Sequence, residues 1–401
     1  MTDKSSSPFT PGNPVPFELF VGRAEQILEL MYYVEQSALG KQENIFLVGE
    51  RGIGKTSISS FLRYWVQKEK DVIAVHVFLG GVSSLDELVR RIFEALLKAT
   101  RGENWFEKIR GLFGDFIKDV DLFGVSIGFV PPKDNLQHLV RNFPQALQTF
   151  ITKIKDDKKA LLIVLDDLDS LTSTPEFAHW YKSFADEIAT HYDEFPLTIM
   201  LVGLPTMMDS LAGLQPSLMR IFRVIELESL SKDEVSEFFK KAFDKANMEI
   251  EDKTLKTLVM FSSGLPVIMQ EIGDATYMRD KDNKIDHDDA LNGVLLAAKR
   301  IGRKYLDPQV YRALRSSSYH SILRKLGSRE SPLNRSFTRR DVAAHLTDAE
   351  QKVLDNFLSQ LRKIGIIEPE AGMARGTYRF ANDIYPIYIW MEAKAFAEQN
   401  S

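Results

Sequence analysis

Residues 46–62 read FLVGERGIGKTSISSFL. An apolar run stops at Gly49, a glycine-rich turn follows, and a helical pattern resumes near Thr56. The turn GERGIGKTS fits G-x-x-x-x-G-K-[ST] with Gly49, Gly54, Lys55 and Thr56. Glycines let consecutive backbone N–H groups wrap phosphate oxygens. Lys55 is placed to reach the β and γ oxygens, and the Thr56 hydroxyl to ligate Mg²⁺. A helix opening there aims its positive end at the same anion. The whole turn, Gly49, Glu50, Arg51, Gly52, Ile53, Gly54, Lys55, Thr56 and Ser57, is therefore the expected nucleotide-binding loop.

Such a site needs an acid at the tip of another buried strand. ALLIVLDDLDSL, residues 160–171, supplies two. Asp166 is expected to hold Mg²⁺ through water, and Asp167 to polarise the attacking water. Asp169 reads as a helix-capping or loop acid. The reaction class is phosphoanhydride hydrolysis, in which positioning and charge neutralisation do most of the catalysis. Nothing local selects ATP over GTP, and no Asn-Lys-x-Asp guanine reader is seen.

Working outward, NIFLVG, DVIAVHVFL, the acid-tipped run, PLTIMLVG and FRVIEL are strands alternating with helical segments. This pattern specifies an α/β fold with a parallel, doubly wound sheet. The expected division is a disordered arm at 1–17, a P-loop core at 18–229, a helical segment at 230–304, which the resemblance given below makes the lid of an ATPase, and a winged-helix domain at 305–401. Strands are expected to stop at Ser231, with four helical segments to about Lys304. Within the core, residues 101–132 break the rhythm as an insertion. Its NWFEKIRGLFGDFIKDV puts Trp105, Phe106, Ile109, Leu112, Phe113, Phe116, Ile117 and Val120 on one helical face. That face suits either a protein partner, a membrane surface or packing within its own domain. DVDLFGVSIGFVPP then reads as a pair of short strands.

The chain of 401 residues has no cysteine, which excludes disulfides, thiolate-bound zinc and thiol catalysis. No catalytic triad, metal-spaced histidines or deaminase-like His-x-Glu is found. No apolar stretch reaches the roughly 18 residues that span a bilayer. MTDKSSSPFTPGNPVP lacks the apolar segment of a secretory signal. The expected localisation is cytoplasmic. Net charge is −5 but uneven: residues 1–300 carry 35 basic and 45 acidic side chains, residues 301–401 carry 16 and 11. Within 303–340 the count is 10 against 2. A basic end on an acidic body suits a polyanion, or is simply a solvated face.

That end has the outline of a winged helix. In DAEQKVLDNFLSQLRKIGII the spacing turns Leu354, Phe357, Leu358, Leu361 and Ile364 inward. Gln351, Lys352, Asn356, Ser359, Gln360, Arg362 and Lys363 face outward. IEPEAGMARGTYRFA reads as the wing. For duplex DNA the helix would enter the major groove, with Arg339, Arg340, Lys352, Arg362, Lys363, Arg375 and Arg379 as expected contacts. A winged helix that docks proteins is the alternative.

The chain resembles the AAA+/STAND group of P-loop ATPases, most closely the origin-recognition-like and archaeal-type members that end in a winged helix. The resemblance covers about residues 18–390 and makes the expected cofactors ATP and Mg²⁺. FVGRAEQI resembles the box that covers adenine, which implies base-side contacts from Val21, Gly22 and Arg23. LVGLPTMMDSL occupies the sensor-1 place, and LSKDEVSEFFKKAF opens the lid. SGLPVIMQEIG carries the Gly-x-Pro of STAND lids, implying a nucleotide contact near Pro266. Arg220 stands where relatives carry an arginine finger serving a neighbouring subunit, so a homo-oligomer is implied; Arg223 is the next candidate, and a plain surface arginine the alternative. There are departures. Sensor 1 has no evident Asn or Thr, Thr206 being the nearest. Asp167 replaces a common Glu, and no sensor-2 arginine is clear. These features imply a slow, nucleotide-held switch that controls assembly and DNA binding. The alternative is a signalling or defence ATPase whose winged helix and insertion hold proteins.

Overall fold

The structure, a computed structural model, describes residues 6–100, 117–119, 127–311, 316–328, 335–370 and 372–399. It divides into two compact units, one from Arg23 to Glu228, the other joining the chain up to Gly22 with everything from Ser229 onward.

In the first unit, α1 (Ala24–Ala38) precedes β1 (Gln42–Gly49), α2 (Lys55–Glu69), β2 (Val72–Phe78) and α3 (Leu85–Thr100). After the insertion come α4 (Lys133–Arg141), α5 (Phe143–Ile154), β5 (Ala160–Asp166), α6 (Asp169–Thr172), α7 (Pro175–His191), β6 (Leu197–Gly203), α8 (Pro205–Leu214) and β7 (Arg223–Leu227). The sheet order is β2-β5-β6-β1-β7, parallel throughout. β5 and β6 are buried on both faces, which is why they read as unbroken apolar runs rather than alternating ones. Since all strands point one way, the loops after β1, β5 and β6 leave the same edge. Open parallel sheets bind ligands at that edge.

The insertion contains β3 (Ile117–Asp119) paired antiparallel with β4 (Ile127–Phe129). Phe129 is buried, 5.9 Å from Phe93. Ile117, expected on a helical face, instead opens β3 opposite Phe129. The rest of that face, Trp105, Phe106, Ile109, Leu112, Phe113, Phe116 and Val120, lies outside the described residues.

The second unit holds α9 (Lys232–Lys245), α10 (Asp252–Ser262), α11 (Pro266–Arg279) and α12 (His287–Ile301), the four expected helices. Ser231 and Glu234 form a reciprocal capping box that starts α9, and Asp286 with Asp289 starts α12 the same way. Strand structure does not stop at Ser231 as expected: Glu249–Ile250 (β8) pairs parallel with Lys284–Ile285 (β9). Between α10 and α11, Ser263 and Gly264 have φ of 52° and 71°. A Cβ at Gly264 would lie 2.3 Å from the Leu230 carbonyl oxygen, so only glycine fits. Pro266 then begins α11, where its missing N–H costs nothing.

The arm expected to be disordered is held, at least from Ser6. Phe9 is 3% exposed, with its ring 5.2 Å from Phe243 and 5.9 Å from Phe238. It sits over Gly273, where a Cβ would come within 2.1 Å of the ring. The Thr10 amide donates to Gln270 Oε1 at 2.7 Å, and Glu18 pairs with Lys245. One aromatic in a Pro/Gly-rich stretch has no period to betray it. Phe9→Ala should destabilise this unit by about 3 kcal/mol, the usual cost of deleting a buried phenylalanine. An unchanged denaturant midpoint would mean the segment contributes nothing.

From α12 the chain continues as a wider π-helix, Gly302–Tyr311, which accommodates Pro308. Then follow α13 (Ser317–Gly327), β10 (Ser336–Thr338), α14 (Arg339–Ala343), α15 (Asp348–Lys363), β11 (Ile367–Pro369), β12 (Thr377–Phe380) and α16 (Ile384–Gln399). The antiparallel sheet β10-β12-β11 beside three helices is the small antiparallel region of a winged helix. α16 serves two cores. Ile384 and Ile387 belong with α9–α12, while Tyr388 and Ile389 belong with α13 and α15.

Candidate nucleotide site and winged-helix surface

The glycine loop between β1 and α2 is tight for a physical reason. Gly52 and Gly54 have φ of 79° and 99°, a region closed to most side chains. A Cβ at Gly49 would meet Ile53 Cγ2 at 2.8 Å and the Leu227 carbonyl at 3.1 Å. Ile53 is buried, anchoring the loop's middle, while Glu50, Arg51 and Gly52 are exposed. Lys55 Nζ donates to the carbonyls of Gly49 at 2.7 Å and Glu50 at 2.9 Å. Burial lowers its pKa, opposed by the charges of Asp166, Glu50 and Asp167.

β5 delivers Asp166 to this loop. Thr56 Oγ1 donates to Asp166 Oδ2 at 3.1 Å across 110 residues of sequence. Asp166 Oδ1 accepts the Asp167 amide at 3.0 Å, and Asp166 is 4% exposed. Asp167 adopts φ of 62°, turning away from the strand. Its pKa is raised, first by burial and then by the charges of Asp166 and Asp169. Arg51 and Asp169 approach to 4.0 Å at the exposed rim.

One group here was missed in the sequence. His76, on β2, is buried to 1% side-chain exposure, and its Nε2 lies 3.0 Å from Asp166 Oδ2. Register explains it: Phe78 pairs with Asp166, and His76 sits two residues back on the same face of the strand. The available signal was a lone imidazole inside the apolar run VIAVHVF.

The other expected residues are placed as follows. Arg23 is buried, with φ of 63°, and its Nη2 donates to the Ile53 carbonyl at 3.2 Å, bracing the loop. Val21 and Gly22 belong to the other unit, where Val21 packs on the α9–α12 core and Gly22 has φ of 68° beside Glu234. Pro266 is in that unit too. Ser57 is half-buried in the first turn of α2, and Thr206 is exposed just past β6. Arg220 is exposed on the turn Pro216–Ile221, whereas Arg223 pairs with Glu43 and covers the Tyr33 ring.

In the winged helix, Leu354, Phe357, Leu358 and Leu361 are buried, and Ile364 is half-buried. Gln351, Lys352, Asn356, Ser359, Gln360, Arg362 and Lys363 are exposed, as the spacing predicts. The basic count is partly spent inside the unit. Arg339 makes a two-point pair with Asp355 at 2.6 and 3.0 Å, and Arg379 pairs with Glu368 at 2.6 Å. Lys304 pairs with Glu271, Lys325 with Glu350, and Arg335 with Asp383. Arg340, Lys352, Arg362, Lys363 and Arg375 are exposed without an acidic partner among the described residues. No helix among the described residues is long and apolar enough to cross a membrane.

Comparison with known proteins agrees with this geometry. Residues 19–181 match the AAA ATPase domain family. An uncharacterized HTH-type transcriptional regulator of Methanocaldococcus jannaschii is 23% identical over 241 residues, covering 58% of this chain and 55% of the relative. The chain thus spans about half the length of that relative. Among solved structures, the ORC2 protein of Aeropyrum pernix, in its ADPNP-ADP complexes, superposes with a TM-score of 0.60 at 14% identity, over 97% of this chain and 98% of that one. A Walker-type ATPase of Pyrococcus abyssi gives 0.55 at 17% identity, over 92% and 96%. These two likenesses establish a shared fold. The phosphate loop, the strand-tip acids and three of the five sheet strands, β1, β2 and β5, lie on the matched segment, so residues 19–181 are those of an AAA ATPase domain.

Proposed function

We propose that this protein is a slow ATP-hydrolysing switch whose nucleotide state governs assembly and the binding of duplex DNA by its winged helix. The observation that carries the ATPase half is the 3.1 Å contact of Thr56 with Asp166, which joins the phosphate loop to the strand-tip acid. A hydroxyl and a carboxylate are hard oxygen donors that suit Mg²⁺. No group of three or more acidic, His or Cys side chains among the described residues could cage a metal. That fits an ion held by few protein ligands plus phosphates. Bound there by Thr56 and Asp166, Mg²⁺ would neutralise phosphate charge. Lys55 and the loop amides bind the β and γ oxygens. Asp167 accepts a hydrogen bond from water and aims it at the γ phosphorus; the bond to the bridging oxygen breaks, leaving ADP and phosphate. A shorter acid than Glu favours slow turnover. Arg23, which braces the loop through the Ile53 carbonyl, is assigned to the base side, and Arg220 to a neighbouring copy's nucleotide.

The DNA half rests on the polar outer face of α15 and its flanking cations. A second reading has one observation in its favour: Lys304, Lys325, Arg335 and Arg339 of the basic run are paired within the unit. A winged helix so neutralised suits a protein partner, as would the insertion at 101–132.

Titrating the full-length protein with duplex DNA, with and without ATP, separates these readings. Each neutralised phosphate contributes about −0.9 to the log–log salt slope, so the exposed cations predict a slope on the order of −4. Arg362 and Lys363 lie at the C-terminal end of α15 and should set affinity more than base choice. Replacing both with Glu should nearly abolish binding and leave ATP turnover intact. Absence of binding at low salt would hand the winged helix to protein docking, and equal binding in both nucleotide conditions would remove the switch.

A further inference from the structure

β2, an edge strand of the sheet, reads VIAVHVF, and a single imidazole, its side chain 1% exposed, interrupts the apolar run. A buried polar group is tolerated where it is hydrogen-bonded. His76 meets that need at Asp166 Oδ2, 3.0 Å from Nε2. A carboxylate oxygen accepts, so Nε2 is the ring nitrogen that carries the proton. The ring is also stacked on Phe78, with centroids 4.3 Å apart and planes 17° from parallel. Its plane is therefore fixed from one side by packing and from the other by a hydrogen bond.

The Asp166 carboxylate consequently has donors from three separate segments. Thr56 on α2 and His76 on β2 share Oδ2, and the Asp167 amide takes Oδ1. Thr56 and Asp167 belong to the nucleotide machinery proposed above. His76 is the member of this set that contributes to no step of that chemistry. Outer partners that orient a metal-facing group are commonly worth 10- to 100-fold in metal affinity.

We propose that His76 is a positioning residue: its Nε2–H locks the orientation of the Asp166 carboxylate toward Thr56 and so sets how tightly the site takes the divalent cation that accompanies the nucleotide. The proposal rests on reading Asp166 as the metal-side acid. It adds a requirement that the phosphate-loop pattern does not contain, a hydrogen-bond donor on the neighbouring strand.

The test measures nucleotide affinity by calorimetry in full-length protein, first in EDTA and then across a Mg²⁺ titration. His76→Phe keeps a ring to stack on Phe78 and removes the donor. His76→Gln returns a donor near the Nε2 position. For His76→Phe the Mg²⁺ midpoint should rise about tenfold, with affinity in EDTA unchanged. His76→Gln should lie within about threefold of the parent. A His76→Phe midpoint equal to the parent's overturns the proposal, as does an equal loss of affinity in EDTA, which would make His76 a plain packing residue. If His76→Phe does not fold, His76→Leu is the second donor-less variant, read the same way. Asp166→Asn is run beside them. If it leaves the Mg²⁺ midpoint unmoved, the reading of Asp166 itself has failed. If it shifts the midpoint and the donor-less His76 variant does not, the failure is confined to His76.

Discussion

Lys55→Ala should lose ATP affinity by a factor of several hundred. Lys55 Nζ is bonded to the carbonyls of Gly49 and Glu50, so the side chain lies along the loop that is to wrap the phosphates. Two charge-assisted hydrogen bonds at about 1.5–3 kcal/mol each place the loss near 4 kcal/mol. At 1.4 kcal/mol per tenfold, that is on the order of 10³. Loop amides are dipoles and cannot by themselves balance the charge of a triphosphate. The alanine also releases the Gly49 and Glu50 carbonyls, which loosens the loop in the same direction. Calorimetry in Mg²⁺ reads this directly, and an affinity equal to the parent's would remove the phosphate-loop assignment.

Asp167→Asn should bind ATP and Mg²⁺ like the parent and lose turnover by about 100-fold or more, the usual worth of a general base. The backbone argument makes this a clean variant. Asp167 has φ of 62°, and asparagine adopts that left-handed conformation as readily as aspartate. Size and shape are kept as well. What goes is the negative charge, on a carboxyl whose pKa burial, Asp166 and Asp169 already push upward, the direction that strengthens it as a proton acceptor. Asp166 keeps its bonds to Thr56 and to the amide that follows it. Single-turnover phosphate release is the measurement. Release at the parental rate would mean that another group polarises the water.

The sheet and its phosphate loop were legible because their physics is local. Strands buried on both faces must be apolar throughout, and a turn that wraps an anion must be glycine-rich. Asp166 and Asp167 were legible only beside the phosphate loop, because acids at the tip of a run like ALLIVL otherwise read equally well as an ordinary solvated turn. His76 was not. Its partner is 90 residues away, and only the register of β2 against β5 brings the two together. Screening the histidines for metal-ligand spacing passes over one whose role is to face a carboxylate. Phe9 escaped for a similar reason, since a single anchor leaves no pattern. The winged-helix face of α15 could be read from helical spacing, but its charge could not. A tally of Arg and Lys takes no account of Asp355 and Glu368, which sit against Arg339 and Arg379 in the fold. Ile117 shows the limit of periodicity at a junction, where a residue near the end of an apparent helical stripe pairs in a hairpin instead.

The C-terminal helix α16 sets a limit on modularity. Its start, Ile384 and Ile387, is a wall of the α9–α12 core, and the next residues, Tyr388 and Ile389, complete the winged-helix core. Ser263 binds Asp383 at 2.8 Å at the turn where the chain enters it. The winged helix therefore cannot be exchanged as a cassette. A graft that cuts after α12 and imports a foreign winged helix removes a piece of the host's own interior. A chimera made this way has to carry the facing side of α12 along with the donor's last helix, or rebuild the apolar seam between them. The same shared helix packs on both α13 and α12, so a strain applied at α13 reaches α12 through one helix, with no linker in between to absorb it.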